Sequence, residues 1–101
     1  MDIIIELFPK LLREKLKDHV KKIILFGSKA RGDCSNKSDY DFVVIVDKRT
    51  YEIEDIVDDI SGQLLYEYSE LIGPIIWDEK EWEDRQLYPI GLNIIREGVE
   101  L

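Results

Sequence analysis

The chain has 101 residues, 45% of them hydrophobic, which is room for one modest core and no more. Its 22 acidic residues outnumber 14 Lys and Arg, for a formal net charge of -8, so a nonspecific hold on a nucleic-acid backbone is not expected. A single cysteine, Cys34, rules out an internal disulfide and a thiolate metal cluster.

In chain order, Ile4, Leu7, Phe8, Leu11, Leu12 and Leu16 recur at helical spacing with Lys10, Arg13, Glu14 and Lys17 between them. This predicts a packing helix that begins near Pro9 or bends there. The apolar run Ile3–Ile5 is broken by Glu6 and is too short for a signal-peptide core or a membrane span, so a cytoplasmic protein with no membrane association is expected. His19, the one histidine, falls where that helix ends and is expected to cap it or lie at the surface.

Lys22–Phe26 is an apolar run with β-branched and aromatic residues, short enough for a buried strand and closed by Gly27. It delivers Gly27-Ser28 to a strand end, followed by a short helical turn from Ser28 to Gly32 and a polar loop over 32–38. Phe42–Val46 is a second strand, with Asp39 and Asp41 at its entrance. In an extended segment residues i and i+2 leave on one face, so the two carboxylates point together while Tyr40 points away. Like charges held side by side repel, and a hard divalent cation relieves that repulsion with oxygen ligands. Glycine permits close backbone approach, and a serine hydroxyl can donate to phosphate.

Thr50 or Asp47 is expected to cap a helix whose apolar stripe, Ile53, Ile56, Val57, Ile60, Leu64 and Leu65, runs to about Tyr68. Gly62 lowers its propensity without breaking it. Ile72–Asp78 reads as a third strand, and Pro74, which cannot donate a ladder hydrogen bond, puts it at an edge or at the strand's beginning. Glu79, Glu81, Glu83 and Asp84 surround Trp82 in a short acidic helix or loop. Tyr88–Gly91 reads as a turn-like junction, and a last helical segment from Asn93 ends at Gly98, with Val99 and Leu101 as an apolar tail. The whole predicts a single α+β domain over residues 1–101: a small mixed β-sheet packed against helices mainly on one face, with the two aspartates on the less covered face.

Leu25-Phe26-Gly27-Ser28-Lys29-Ala30-Arg31-Gly32-Asp33, followed by Ser38-Asp39-Tyr40-Asp41-Phe42, resembles the first motif of the minimal nucleotidyltransferases, the smallest members of the DNA polymerase β-like superfamily. The resemblance implies a nucleotidyltransferase fold, Gly27 and Ser28 at the nucleotide's terminal phosphates, and Asp39 and Asp41 as catalytic ligands of Mg²⁺ or Mn²⁺. Lys29 and Arg31 are the positive groups nearest that site. Arg31 is read either as a phosphate fork or as a brace of the loop against acidic neighbours. The family usually supplies a third carboxylate from the middle of the third strand, where this chain has Pro74-Ile75-Ile76-Trp77; Asp78, one pleat further along, is the candidate third acid.

The resemblance further implies ATP as substrate and, as partner, a small helical protein of the HEPN class encoded nearby, whose tyrosine accepts AMP from its antitoxin; self-association into a homo-oligomer is also open. Two alternatives stand beside this reading. One is a nucleotide-binding antitoxin or regulatory subunit without efficient chemistry. The other is a small-molecule nucleotidyltransferase with a separate acceptor-binding subunit.

Overall fold

In a computed structural model that describes residues 2–32 and 39–101, the elements run α1 (Ile3–Leu16), a 3₁₀ turn (Lys17–His19), β1 (Val20–Phe26), α2 (Ser28–Arg31), β2 (Tyr40–Val46), α3 (Tyr51–Tyr68), β3 (Ile72–Asp78), α4 (Glu79–Arg85), α5 (Pro89–Glu97) and β4 (Val99–Glu100). The four strands form one mixed sheet in the order β3-β2-β1-β4. β1 is antiparallel to both β2 and β4, while β2 and β3 are parallel.

The three longer strands are the three apolar runs of the sequence, and their alternate residues serve two different faces. On one face, Ile23, Leu25, Phe42, Val44, Val46 and Ile72 pack with Ile4, Phe8, Leu12 and Leu16 of α1 and Ile53, Val57, Ile60 and Leu64 of α3. On the other, Ile24, Val43, Ile45 and Trp77 meet Ile94 of α5, with Trp82 of α4 stacked on Trp77 at 5.9 Å. The first cluster is much the larger, so the domain carries one main core and a thinner second layer near the β3 and β4 ends.

Local chemistry explains most element ends. Asp2 caps α1 by accepting from the Ile4 and Ile5 amides, and Thr50 caps α3 by accepting from Ile53 at 3.2 Å. Pro9 neither starts nor ends α1. The helix runs through it from Ile3, and the ring is buried against the core. His19 lies exposed with its Nδ1 3.0 Å from Asp47 Oδ1, a surface hydrogen-bond contact between the start of β1 and the end of β2. β3 is an edge strand, as Pro74 requires.

The C-terminal third departs from expectation. Tyr88–Gly91 is not a junction but the start of α5: Pro89 takes the first helical position, where its missing N–H costs nothing. Gly91 is then pressed on the α4 end so closely that a Cβ would stand 1.9 Å from the Arg85 carbonyl oxygen. The tail after Gly98 becomes β4, and the Leu101 amide continues the ladder by donating to Ile23 O at 2.8 Å.

The burial pattern sets a stability contrast. Leu12 is fully buried whereas Leu92 is 54% exposed on α5. Leu12→Ala is expected to cost about 2–5 kcal/mol in denaturant unfolding, and Leu92→Ala within about 0.5 kcal/mol. Equal costs would contradict the placement of the core.

Candidate active site

β1 ends at Phe26, paired with Asp41, and the chain turns at Gly27 into α2. Gly27 has φ 76° and ψ -158°, a conformation that L side chains rarely adopt. Its carbonyl accepts from the Ala30 and Arg31 amides, both at 3.1 Å, which closes the single turn of α2 and places Ser28 at its first position. The turn is drawn tightly over β2: a Cβ on Gly27 would lie 2.5 Å from Asp41 Oδ2. On the other side, Gly73 of β3 pairs with Asp41 and leaves a looser approach, 3.7 Å from a Cβ to Asp41 Oδ1. Each carboxylate oxygen of Asp41 is therefore bordered by a glycine.

Asp39, exposed, precedes β2, and Asp41, half-buried, is its second residue. The pleat sends Asp41 to the thinly covered face and Tyr40 to the main core, where Tyr40 is 4% exposed. Burial pushes the Asp41 carboxyl above the usual aspartate range, and the negative charge of Asp39 pushes it further. Two oxygen-bearing acids in mutual repulsion at a partly desolvated strand end fit a hard divalent cation, and Asp39 and Asp41 are the residues that would hold it. No cluster of three or more His, Cys, Asp or Glu placed to hold a metal occurs among the described residues, so such an ion draws on two carboxylates plus other oxygens.

Asp78 does not belong to this site. β2 and β3 are parallel with Asp41 beside Gly73 and Val46 beside Asp78, so Asp78 lies five residues further along, roughly 16 Å at 3.3 Å per residue. Its parity is also that of Val46, the opposite face. Its carboxylate is instead engaged as the N-cap of α4, accepting from the Glu81 amide at 2.7 Å while Glu81 accepts from the Asp78 amide, a reciprocal capping box. The β3 residues on the face of Asp41 are Gly73, Ile75 and Trp77, none of them acidic.

The basic residues are also placed. Arg31 Nη1 lies 3.1 Å from Glu97 Oε2 at the end of α5, which ties the α2 turn to the C-terminal helix. The Lys29 ammonium sits 4.6 Å from the centroid of the Tyr40 ring, whose side chain points to the face opposite Asp41. Asp33, Cys34 and Ser38 lie outside the described residues. Two partners were missed from the sequence. Asp2 bears an N-cap signature that was legible before the apolar run, whereas Glu97, 66 positions from Arg31, had no sequence signal.

With this geometry in place, comparison with known proteins is decisive. A family profile described as a nucleotidyltransferase domain matches residues 5–93. The chain belongs to the nucleotidyltransferase domain family. It is 34% identical over 91 residues to the Methanocaldococcus jannaschii protein named "Putative protein adenylyltransferase MJ0604", covering 90% of this chain and 87% of that one. A second protein of that organism carrying the same name with MJ0141 is 37% identical over 75 residues, covering 73% of this chain and 76% of its own. In fold, the chain resembles the crystal structure of a toxin-antitoxin MntA-HpeT mutant, with a TM-score of 0.64 at 20% identity over 99% of this chain and 72% of that one. A toxin-antitoxin structure with AMP-PNP follows at 0.62 and 17% identity, covering 92% and 68%. The nucleotidyltransferase fold and the mixed α and β architecture expected from the sequence are thereby established.

Two outcomes test the geometry. Because the Asp41 carboxyl is raised, the folded state binds more protons than the unfolded chain above the ordinary aspartate pKa, and stability falls as pH rises through that window. Asp41→Asn is accordingly expected to raise the melting temperature at pH 7, with the gain vanishing at acid pH, as thermal denaturation at several pH values will show. Asp78→Ala is expected to lose about 1 kcal/mol of stability through the α4 cap and to leave ATP affinity unchanged in calorimetry.

Proposed function

We propose that this domain transfers the AMP moiety of ATP to a hydroxyl of a partner protein, and that the acceptor is a tyrosine of a helical, HEPN-type toxin for which this chain is the antitoxin. The observation that carries the reading is the lodging of the Asp41 carboxylate against the Gly27 turn, which brings the Gly27-Ser28 step and the Asp39–Asp41 pair to one strand end. The names of the Methanocaldococcus relatives support protein adenylylation, and the MntA-HpeT and AMP-PNP structures support a toxin partner and an ATP-like substrate.

In this reaction the acceptor oxygen forms a bond to the α-phosphorus of ATP, the bond from that phosphorus to the bridging oxygen breaks, pyrophosphate leaves, and the hydroxyl proton passes to solvent or a nearby carboxylate. A Mg²⁺ or Mn²⁺ ion held by Asp39 and Asp41, when bound, supplies charge neutralisation on the phosphates and activation of the attacking oxygen. The chain's own residues do the positioning. Gly27 allows the phosphates to approach the backbone, Ser28 donates a hydroxyl hydrogen bond, and the Arg31–Glu97 pair keeps the turn in register with α5. Lys29, on the same turn, holds its ammonium against the Tyr40 ring.

On the face of Asp41, β3 presents Gly73, Ile75 and Trp77 where the family is expected to supply a third carboxylate, which favours a second reading in which the domain binds nucleotide and regulates its partner without turnover. The domain is proposed to act as one unit over residues 1–101 in the cytoplasm; among the described residues, no helix is long and apolar enough to cross a membrane.

Mg²⁺ is expected to tighten ATP binding in calorimetry at least tenfold, and Asp39→Asn with Asp41→Asn to remove that enhancement. Equal enhancement in the double variant would remove the metal assignment. Labelled AMP is expected to appear on a partner tyrosine at up to one equivalent; binding without transfer at saturating metal and partner selects the regulatory reading.

A further inference from the structure

Tyr40 stands between the two acids of the site, yet its side chain faces the other way and is among the least exposed in the chain, at 4%. Three separate elements converge on it. Its hydroxyl donates to Asp2 Oδ2, 38 residues away, while the other oxygen of the same carboxylate caps α1 through the Ile4 amide at 2.9 Å. Its ring lies parallel to that of Phe42 with centroids 6.4 Å apart, and Phe42 in turn meets Phe8 of α1 at 4.4 Å. The outer side of the same ring carries the Lys29 ammonium from α2, the turn that follows Gly27. Its backbone is held too, since the Tyr40 amide donates to Leu71 O at 3.0 Å ahead of the parallel ladder with β3.

The ring of Tyr40 is buried, while its hydroxyl and the Asp2 carboxylate meet half-buried at the margin of the apolar cluster, where a polar pair adds nothing to apolar packing. An apolar residue at position 40 would fill the same volume without a polar debt. What the hydrogen bond adds is direction. Residue 40 is bonded on either side to residues 39 and 41, so a ring held at both its tip and its face restrains the backbone from which the two aspartates project. Lys29 links that same ring to the α2 turn, so the phosphate-side turn and the acid-bearing strand share one anchor.

We infer that Tyr40, held by Asp2, is a positioning residue for the Asp39–Asp41 pair, setting the separation of the two carboxylates and thus the affinity of the site for a divalent cation. This rests on the reading of that pair as a metal site. Tyr40 touches neither the ion nor the nucleotide on this account; it acts through the backbone.

The test uses the full chain, Mn²⁺ alone as probe, and a double-mutant cycle. Tyr40→Phe keeps the ring, the stack on Phe42 and the contact with Lys29 but loses the hydroxyl. Asp2→Ser keeps an N-cap for α1 but is too short to reach Tyr40. Each is expected to weaken Mn²⁺ binding about tenfold by calorimetry, and the two together no more than either alone, since both delete one interaction. Thermal denaturation runs in parallel, and Asp2→Asn serves as a second variant that retains the reach and part of the bond. Its Mn²⁺ affinity is expected between that of wild type and that of Asp2→Ser.

Wild-type Mn²⁺ affinity in Tyr40→Phe overturns the inference, as does a double variant whose losses add in full. A lowered melting temperature with an unchanged Mn²⁺ isotherm also overturns it, leaving Tyr40 a core residue only. If the wild-type chain itself binds no Mn²⁺ and shows no metal enhancement of ATP binding, the metal reading fails and this inference falls with it, an outcome distinct from a variant that matches a metal-binding wild type.

Discussion

The approach of the Asp41 carboxylate to the Cα of Gly27 is the contact on which the site depends. It joins the end of β1, the start of α2 and the start of β2 at one place, and it tolerates no side chain at position 27. The positive φ of Gly27 is part of the same arrangement, since it turns the chain sharply enough for α2 to begin without moving away from β2. A strand, a turn and a second strand thus bring an anion-compatible loop and an acidic pair together, and Gly73 of β3 and Glu97 of α5 close in on them from distant parts of the chain.

The sheet divides its labour by face. One face is covered by α1 and α3 and supplies most of the buried apolar side chains, so the stability of the domain resides there. Among the described residues the opposite face is covered by α4 and α5, and Asp41 at its edge is half-buried. Placing a repelling pair of acids on the main core side would have cost folding free energy with no solvent to screen it. On the thinner face the penalty falls on a half-buried group whose pKa rises accordingly.

Much of this was legible in the sequence because it depends on short-range rules. The runs that became β1, β2 and β3 and the long stripe of α3 follow from periodicities of two and 3.6 residues, and the turn after Gly27 from the glycine itself. What failed was long-range. Asp78 was a reasonable third acid by strand membership alone, but its distance from Asp41 is set by the parallel register of β2 and β3, and its carboxylate is claimed by an α4 cap whose existence was only one of two options. Arg31 shows the same limit, because its partner Glu97 arrives only when α5 folds back beside α2. α5 itself was shortened because Pro89 and Gly91 read as punctuation, when one was an ordinary helix start and the other a close contact with the preceding helix.

Pro74 has a consequence for the protein in a crowded solution. β3 forms the outer border of the sheet, seven residues of strand whose first two, Ile72 and Gly73, pair with Tyr40 and Asp41. An open border of that length is a template on which another chain can add by backbone pairing, and the β-rich stretch Ile75-Ile76-Trp77 is the kind of segment that aggregates when it does. A proline within that border permanently lacks an amide hydrogen and stiffens the backbone where an incoming strand needs a continuous ladder. The residue that marks the strand as peripheral therefore also guards it, and keeps the side of the sheet nearest the acids from recruiting neighbours by their main chain.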